Sequence, residues 1–382
     1  MTIAHYLYID ARLPESFLTD PINHLAGHKQ LVLTRGFEKR ELFKNGAVLV
    51  KAGDKYLGDN RLRRVYDRLF FPYSGSFRRF AGVLQEHGAQ LIHAHFATDA
   101  LEMLPMKRRL RLSLVTSCYG YDVSAFPQKR VNHLRLQRLF REGELFLVLS
   151  RDMKRDLLRL GCPEDKIAVH HLGVDLQHFR PPANPPRRAG KRVRFICVGF
   201  FVEKKGYLVL LEALARLVAN GHREVELVIV GQGPLEQKIK AHIRALDLAE
   251  RVRLVQTTER AQVVAQYQAA DLFVLPSLTA SDGNKEGTPT VLMEAQAVGL
   301  PVISTYHAGI PEVVLDGETG WLVPEKDVEA LAQKMEHALA SRDAWREMGA
   351  RGRAHVEREF NIRTQVARLE QRYRELVPSA SK

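Results

Sequence analysis

Short apolar runs alternate along the chain with longer segments in which apolar residues recur every three or four positions. In the first half these runs are bounded by charged or turn-forming residues, and they are Leu31–Thr34, Leu91–His95, Leu112–Thr116 and Leu145–Leu149. The second half repeats the organisation with Val193–Val198, Val225–Val230, Val252–Val255, Leu272–Leu275 and Pro301–Ser304. The segments between them, such as 207–219 and 235–246, have helical periodicity. This alternation predicts parallel sheets covered by helices on both faces.

A proline-rich stretch separates the two series of elements. It contains Pro181, Pro182, Pro185 and Pro186, and this density of proline is incompatible with a helix or a central strand. We therefore predict an α/β fold with two doubly wound, Rossmann-like domains, over residues 1–180 and 192–360, joined by a linker over 181–191. Sheets of this type bind ligands at the carboxyl ends of their strands, so we expect the site in a cleft where the two domains face each other.

Length and composition exclude several classes of protein. The chain of 382 residues suits two domains, and no apolar run approaches the ~20 residues of a membrane-spanning helix. Met1–Asp10 lacks the basic start of a signal peptide and predicts a first β-strand instead. The three cysteines, Cys118, Cys162 and Cys197, have no zinc-binding or disulfide-framework spacing. These features predict a cytoplasmic protein in a reducing compartment.

The positive charge is concentrated in the first half. The net charge is +13; residues 1–182 contribute 29 Lys and Arg against 19 Asp and Glu, a balance of +10. Such a surface favours an anionic partner, either a phosphate-bearing substrate or an anionic membrane. The alternative is that the charges only keep the surface solvated. Nucleic acid is the weakest option, because no nucleic-acid-binding motif accompanies the charge. The basic clusters are Arg61, Arg63, Arg64 and Arg68, then Arg78 and Arg79, then Lys107, Arg108, Arg109 and Arg111.

The segment 271–294 carries the most informative chemistry. A buried strand ends at Pro276, a polar loop follows, and Thr288 and Pro289 suit the N-cap and the first position of a helix. That helix is expected to bury one stripe of residues, Val291, Ala295 and Val298, and to stop at Gly299 and Pro301.

Two acidic residues flank the predicted helix start. Glu286 precedes it and Glu294 lies inside the helix, with seven residues between them. A helix N-terminus favours a phosphate, whereas carboxylates on either side can accept hydrogen bonds from sugar hydroxyls. A nucleoside-diphosphate sugar has this distribution of groups. The alternative is that Glu286 is a solvated loop residue and Glu294 a surface residue, and the spacing alone does not decide between them.

Further motifs make the chain resemble a known family. Glu286 and Glu294 are followed by Gly299–Thr305, Gly309–Glu312 and Gly317–Val323, and the first half contains residues 15–18, Leu91–Phe96, Gly120–Asp122 and Leu172–Asp175. Together these segments resemble the retaining glycosyltransferases of family four (glycosyl transferases group 1), which have the GT-B fold and include the enzymes of colanic-acid and exopolysaccharide biosynthesis. The resemblance also implies that the last segment, 361–382, forms a helix that crosses back to the first domain.

The resemblance assigns donor-binding roles in the second domain. It implies that Glu286 contacts the donor sugar, that Glu294 binds the ribose hydroxyls, and that Lys205 binds the diphosphate. A lysine there would offset the charge on the departing nucleoside diphosphate without a metal. Solvated loop lysines are the alternative for Lys204 and Lys205. The remaining donor-binding positions are Gly199, Gly231, Gly287, Thr288 and Pro289.

In the first domain the resemblance places the acceptor side at Tyr119 and Gly120, and His95 is added to it because it lies at a strand end. The resemblance also gives Tyr119 and Asp122 as catalytic positions beside Glu286 and Lys205. The chain departs from the family pattern at two points: Phe200 stands where an arginine is usual, and Tyr119 where a histidine is usual. Both departures bear on activity or donor choice. We expect a structural role for His93, and no metal pair at His170 and His171, since adjacent residues of an extended segment point to opposite faces.

These inferences predict a retaining, metal-independent hexosyltransferase without a cofactor. It would move a sugar from a nucleoside-diphosphate sugar to an acceptor hydroxyl. A lipid-linked saccharide at the inner membrane face would explain the basic first half through peripheral contact with anionic lipid. Two alternatives remain, a non-catalytic relative that acts as a binding or scaffold subunit, and a sugar-nucleotide epimerase of the same fold.

Overall fold

A computed structural model of the protein describes residues 1–7, 16–34, 42–43, 46–51, 75–182, 192–257 and 259–377. The chain forms two compact units, Met1–His170 with Arg363–Lys382, and His171–Ile362. Most of the predicted linker, the motif at residue 15 and the cluster from Arg61 to Arg68 lie outside the described residues.

The first unit is built on a seven-stranded parallel sheet with the strand order β3-β2-β1-β4-β5-β6-β7. The strands are β1 Thr2–Tyr6, β2 Lys29–Thr34, β3 Val48–Lys51, β4 Leu91–His95, β5 Ser113–Ser117, β6 Leu145–Val148 and β7 Ile167–Val169. The helices of its N-terminal part are α1 Ser16–His24, α2 Gly75–Glu86, α3 Ala97–Leu110, α4 Arg130–Glu142 and α5 Arg151–Arg159.

The second unit has a six-stranded parallel sheet with the order β10-β9-β8-β11-β12-β13. The strands are β8 Val193–Val198, β9 Val225–Val230, β10 Val252–Val255, β11 Leu272–Leu275, β12 Val302–Thr305 and β13 Gly320–Val323. The helices are α6 Tyr207–Ala219, α7 Glu236–Ala245, α8 Arg260–Gln268, α9 Thr290–Ala297, α10 Ile310–Val313, α11 Val328–Ala340 and α12 Trp345–Glu359. A final helix, α13 Ile362–Leu376, continues the chain and belongs almost entirely to the first unit.

The predicted α/β class is confirmed, and all the strands expected from the sequence form. Their residues are almost continuously apolar because helices cover both faces of a parallel sheet and leave few positions in water. In β11, for example, Leu272, Phe273, Val274 and Leu275 are all buried.

The prediction for α9 was wrong in two respects. The helix begins at Thr290, and Pro289, not Thr288, is its N-cap, with no side-chain hydrogen bond. The helix is also buried around most of its circumference, and Glu294 is only 8% exposed. The reason is α12, which covers the side facing away from the sheet: Gly352 of α12 lies against Gln296, and Gly349 packs on the carbonyl of Gly299.

Two structural features concern the predicted environment of the chain. Cys118, Cys162 and Cys197 are all free and buried. In the part of the chain that the structure describes, no helix is both long and apolar enough to cross a membrane.

Candidate active site

Glu286 lies at the centre of a charged cluster in the second unit. Its carboxylate is buried and forms two ion pairs. Nζ of Lys205 lies 2.7 Å from Oε1, and Nζ of Lys204 lies 3.4 Å from Oε2. Ser277 donates its hydroxyl to the same Oε1 at 3.3 Å. Burial by itself would raise the pKa of the Glu286 carboxyl, but Lys205 and then Lys204 lower it to about 2. Glu286 is therefore a buried anion and not a solvated loop residue.

The backbone after β8 brings the two lysines to this carboxylate. A 3-10 turn over Glu203–Lys205 ends at Gly206, whose φ is +68°. A Cβ at Gly206 would lie 2.0 Å from the carbonyl oxygen of Pro276, so only glycine fits there. The turn is joined to the neighbouring loop by Leu278, whose N–H donates to the carbonyl of Lys204 at 2.9 Å. The ammonium groups therefore stand at the carboxyl end of β11, next to the loop that carries Glu286.

The backbone of Glu286 is held separately from its carboxylate. Its N–H donates to Nε2 of His307 at 3.1 Å. On the other side of the ring, Nδ1 of His307 lies 2.7 Å from Oε1 of Glu325, and Oε2 of Glu325 accepts the N–H of Thr279 at 2.7 Å. His307 is 1% exposed. A line of hydrogen bonds thus joins the ends of β11, β12 and β13, which are neighbours in the sheet.

Glu294 lies on α9, and its Oε2 accepts the hydroxyl of Tyr267 at 2.9 Å. Burial, and to a smaller extent the nearby Glu294 carboxylate, raises the pKa of Tyr267 well above its ordinary value. The tyrosine hydroxyl therefore keeps its proton and donates it in the hydrogen bond to Glu294. Glu294 is accordingly a buried, hydrogen-bonded acid, and the alternative of a surface residue is wrong.

The glycines of the predicted donor site allow close backbone contact. Gly231 follows β9 with φ +147°, and a Cβ there would lie 2.0 Å from the carbonyl oxygen of Gly199, which follows β8. Gly287 accepts the N–H of Gly309 at 3.3 Å, and Thr288 is buried. Because α9 begins at Thr290, its first two amides are those of Thr290 and Val291, three residues after the predicted donor-binding positions Gly287 and Thr288. Phe200, in place of the usual arginine, is 38% exposed.

In the first unit, Asp122 organises the backbone around the predicted acceptor residues. Its carboxylate is fully buried; Oδ2 accepts the N–H of Ala97 at 2.9 Å, and Oδ1 accepts those of Tyr119 and Gly120 at 3.0 and 3.1 Å. Burial raises the pKa of the Asp122 carboxyl above its usual value, against these donors, which lower it. The geometry links the start of α3 to the loop after β5.

Tyr119 and His95 form one hydrogen-bonded pair, with the tyrosine hydroxyl 2.8 Å from Nδ1 of His95. Burial lowers the pKa of His95 to about 3, so its ring is neutral. The Nε2 atom of His95 lies 3.2 Å from Nδ1 of His5. Both ring nitrogens of His93 also have protein partners, Nδ1 with the hydroxyl of Tyr373 at 2.5 Å and Nε2 with that of Ser117 at 2.8 Å.

The three histidines His5, His93 and His95 are close enough to suggest a metal site, since one ring nitrogen of each lies within 4.8 Å of the others. The rings of His93 and His95, however, are stacked, with centroids 4.3 Å apart and planes at 25°. Nitrogen lone pairs lie in the ring plane, so stacked rings do not direct them to a common point. The nitrogens of His93 and His95 are also engaged with protein groups, which makes this cluster a hydrogen-bonded aromatic stack.

The fold defines the class of protein. The chain is similar to HepE of Anabaena, solved in complex with UDP and glucose, with a TM-score of 0.82 and 17% identity over 98% of this chain and 100% of that chain. At this identity the likeness concerns the fold, which is that of the GT-B glycosyltransferases.

The family follows from the sequence comparisons. The profile of the glycosyl transferases group 1 matches residues 183–355, and that of glycosyltransferase family 4 matches residues 24–178. The chain is 36% identical over 297 residues, 76% of its own length and 72% of the relative's, to WcaL of Salmonella typhimurium, by name a colanic acid biosynthesis glycosyltransferase. It is 29% identical, over 79% of its length and 80% of the relative's, to the GDP-mannose-dependent alpha-(1-6)-phosphatidylinositol monomannoside mannosyltransferase of Mycolicibacterium smegmatis. The chain belongs to the group 1 glycosyltransferases and is a transferase by family.

Sequence reasoning did not identify His307, Glu325, Ser277 or Tyr267. The first two carry a usable signal, because each follows a strand end of a parallel sheet, where functional side chains gather. Ser277 also follows a strand, whereas Tyr267 lies at helical spacing and resembles any core aromatic residue.

Proposed function

We propose that the protein is a retaining, metal-independent glycosyltransferase that uses a nucleoside-diphosphate sugar. The observation that carries the proposal is the buried Glu286 carboxylate with two lysine ammonium groups on it. A buried anion and two cations at the carboxyl edge of a Rossmann-like sheet suit a ligand that has both hydroxyl donors and a diphosphate. Glu294 lies on α9, where the hydroxyl of Tyr267 holds it, and it supplies a hydrogen-bond acceptor for the ribose hydroxyls.

The reaction breaks the bond between the anomeric carbon of the donor and the diphosphate oxygen and forms a bond from that carbon to the acceptor oxygen. In the retaining front-face route, the acceptor proton passes to the departing diphosphate oxygen on the same side of the sugar. Lys205 offsets the charge that develops on that diphosphate, because a cation fixed in a buried site stabilises it more than water would. No group on this chain has to act as a strong base.

For the acceptor, we propose a lipid-linked saccharide of exopolysaccharide assembly. Two relatives support this: WcaL is named for colanic acid biosynthesis, and the mycobacterial relative for transfer to a phosphatidylinositol mannoside. The donor base is open between uridine and guanosine, since HepE was solved with UDP and the mycobacterial enzyme is named as GDP-mannose-dependent.

We further propose that the first unit contacts anionic lipid from the cytoplasmic side. Helix α4 places Val131 and Leu134, 62% and 59% exposed, one turn apart, with Arg138 exposed one turn further on. Exposed Lys129 and Arg130 precede them. Apolar side chains beside basic ones on one helix suit an anionic membrane interface. Flotation with vesicles of phosphatidylglycerol and phosphatidylcholine tests this: the double variant V131S/L134S should bind much less, and equal binding would contradict it.

The catalytic proposal is tested by incubating the protein with a panel of UDP- and GDP-sugars, with and without a lipid-linked acceptor, and separating the products. We expect the wild type to consume one donor, and Glu286→Gln to lose at least ~100-fold in rate, as for other removed electrostatic groups of an active site. Glu318→Gln, the same change at an exposed position of the same unit, should match the wild type.

Other outcomes identify the alternatives. Conversion of a donor into a different nucleotide sugar without acceptor would show an epimerase. Nucleotide binding with no turnover of any donor would show a non-catalytic subunit, and full activity of Glu286→Gln would contradict the site.

A further inference from the structure

His307 and Glu325 form a fixed pair that holds the backbone of Glu286. The N–H of Glu286 can only donate, so Nε2 of His307, 3.1 Å away, has to accept. The ring proton must then be on Nδ1, which donates to Oε1 of Glu325 at 2.7 Å. Glu325 is in turn oriented by the N–H of Thr279 on its other oxygen, at 2.7 Å. The donor and the acceptor of each of these three hydrogen bonds are therefore defined.

The surroundings prevent the histidine from moving. His307 is 1% exposed, and it follows β12, whose Ser304 and Thr305 donate their hydroxyls to the carbonyls of Leu275 and Ser277 at 2.6 and 2.5 Å. These bonds tie the end of β12 to the start of the loop that carries Glu286. The same loop is also tied through the carbonyl of Lys285, which accepts from Nζ of Lys204 at 3.3 Å, and through the N–H of Gly309, which donates to the carbonyl of Gly287. A neutral ring locked in one tautomer adds the support that acts on the Glu286 N–H itself.

We infer that His307 and Glu325 are positioning residues for Glu286, which keep its carboxylate aimed at the donor sugar when the two lysines turn to the incoming diphosphate. The inference rests on the proposed function of the site. In the structure, Lys204 and Lys205 hold the carboxylate directly. Once they contact a diphosphate, the carboxylate loses part of that restraint, and its position then depends on its backbone. A small displacement of a group that contacts the reacting sugar costs rate more than affinity.

Two substitutions of the same histidine separate the two halves of the pair. In His307→Gln the side-chain amide reaches the place of Nε2 and retains an acceptor for the Glu286 N–H. In His307→Asn the amide occupies the place of Nδ1, so the link to Glu325 survives but Glu286 loses its partner. We expect His307→Asn to lower kcat for donor turnover by about 10- to 100-fold with KM for the donor within about threefold. His307→Gln should recover most of that loss, and Glu325→Gln should fall between them.

Controls distinguish the inference from the proposed function. Glu318→Gln should be indistinguishable from the wild type. Equal kcat values for His307→Asn and the wild type, or equal losses for the Asn and Gln variants, would overturn the positioning role while the wild type still turns over a nucleotide sugar. Absence of any donor binding or turnover by the wild type would instead contradict the proposed function and, with it, the catalytic part of this inference.

A readout without activity tests the geometry alone. Nitrogen NMR of the imidazole should show His307 as the Nδ1–H tautomer, with Nε2 unprotonated and hydrogen-bonded. The Glu286 amide should exchange faster with solvent in His307→Asn than in His307→Gln. An Nε2–H tautomer, or equal exchange in the two variants, would contradict the arrangement.

Discussion

Lys205 and Glu286 come from loops after neighbouring strands, β8 and β11, and their side chains meet at 2.7 Å in a buried site. The pair combines a cation and an anion, the two charges that the proposed sugar-diphosphate ligand would contact. A buried carboxylate without its cation would lower the free energy of unfolding, so the folded state itself favours the contact between Lys205 and Glu286.

Lys205→Met should raise the pKa of Glu286 from its value of about 2, because burial persists while the nearest cation is lost. The same variant should weaken binding of UDP or GDP by about tenfold or more, since a charge-assisted contact to the diphosphate is gone. Lys204→Met is the matched control: its ammonium is 3.4 Å from the carboxylate, and both effects should be smaller. Calorimetry measures the affinity and carbon NMR the carboxyl titration. Equal behaviour of the two variants would remove the special role of Lys205.

The pH dependence of stability follows from the same carboxylate. Because the pKa of Glu286 is lowered in the folded state, its ionisation stabilises that state fully above pH ~4.5, and the contribution disappears as the pH falls towards 2. The contribution is on the order of 3 kcal/mol. The excess stability of the wild type over Glu286→Gln should therefore shrink as the pH is lowered from 6 to 3. Both tryptophans, Trp321 and Trp345, lie in the second unit, so tryptophan fluorescence during urea unfolding reports on it. A pH-independent difference would contradict the lowered pKa.

Asp122→Asn should destabilise the first unit by ~1–3 kcal/mol, because one side-chain oxygen becomes an N–H₂ group that faces backbone donors. Asp152→Asn, in the first turn of α5 and partly exposed, should change stability by no more than ~0.5 kcal/mol. Hydrogen exchange of the amides of Ala97, Tyr119 and Gly120 locates the effect. Unchanged protection of these amides would show that the carboxylate does not hold them.

Tyr119→Phe should reduce transfer to the acceptor without changing the affinity for the nucleotide. The substitution removes the hydroxyl that contacts Nδ1 of His95 and leaves the aromatic ring, which packs near Phe17 and Phe96. Tyr119→His restores the residue usual in the family and tests whether the departure sets acceptor use. Transfer rates and calorimetric affinities are compared for both variants. A loss of nucleotide affinity with unchanged transfer would contradict the assignment of Tyr119 to the acceptor side.

The sequence predicts elements well where local rules decide them. Continuous apolar runs such as 272–275 become buried strands, and the segment 207–219 becomes a helix with the expected bounds. The rule failed at Thr288, a good N-cap by type, because Pro289 still has an extended ψ of 115°, so Pro289 is itself the N-cap and the helix begins one residue later, at Thr290. It failed again at Val291, since the burial of α9 is decided by a helix more than fifty residues later in the chain.

The candidate site shows the same division. Glu286, Glu294 and Lys205 could be proposed as site residues from spacing and resemblance, because those motifs are local. The bonds of His307 with Glu286 and Glu325 could not, because they join three strand ends that only the sheet order brings together. Polar residues after strands are a signal for such positions, but they do not indicate which of them meet.

The most direct test of the account is a crystal structure of the protein with a bound nucleoside-diphosphate sugar. We predict that Glu294 accepts hydrogen bonds from the ribose hydroxyls, that Lys205 and the first-turn amides of α9 contact the diphosphate, and that Glu286 contacts the sugar with its N–H still on His307. A diphosphate bound away from Lys205 and α9, or Glu286 and Glu294 without contact to the ligand, would contradict the account.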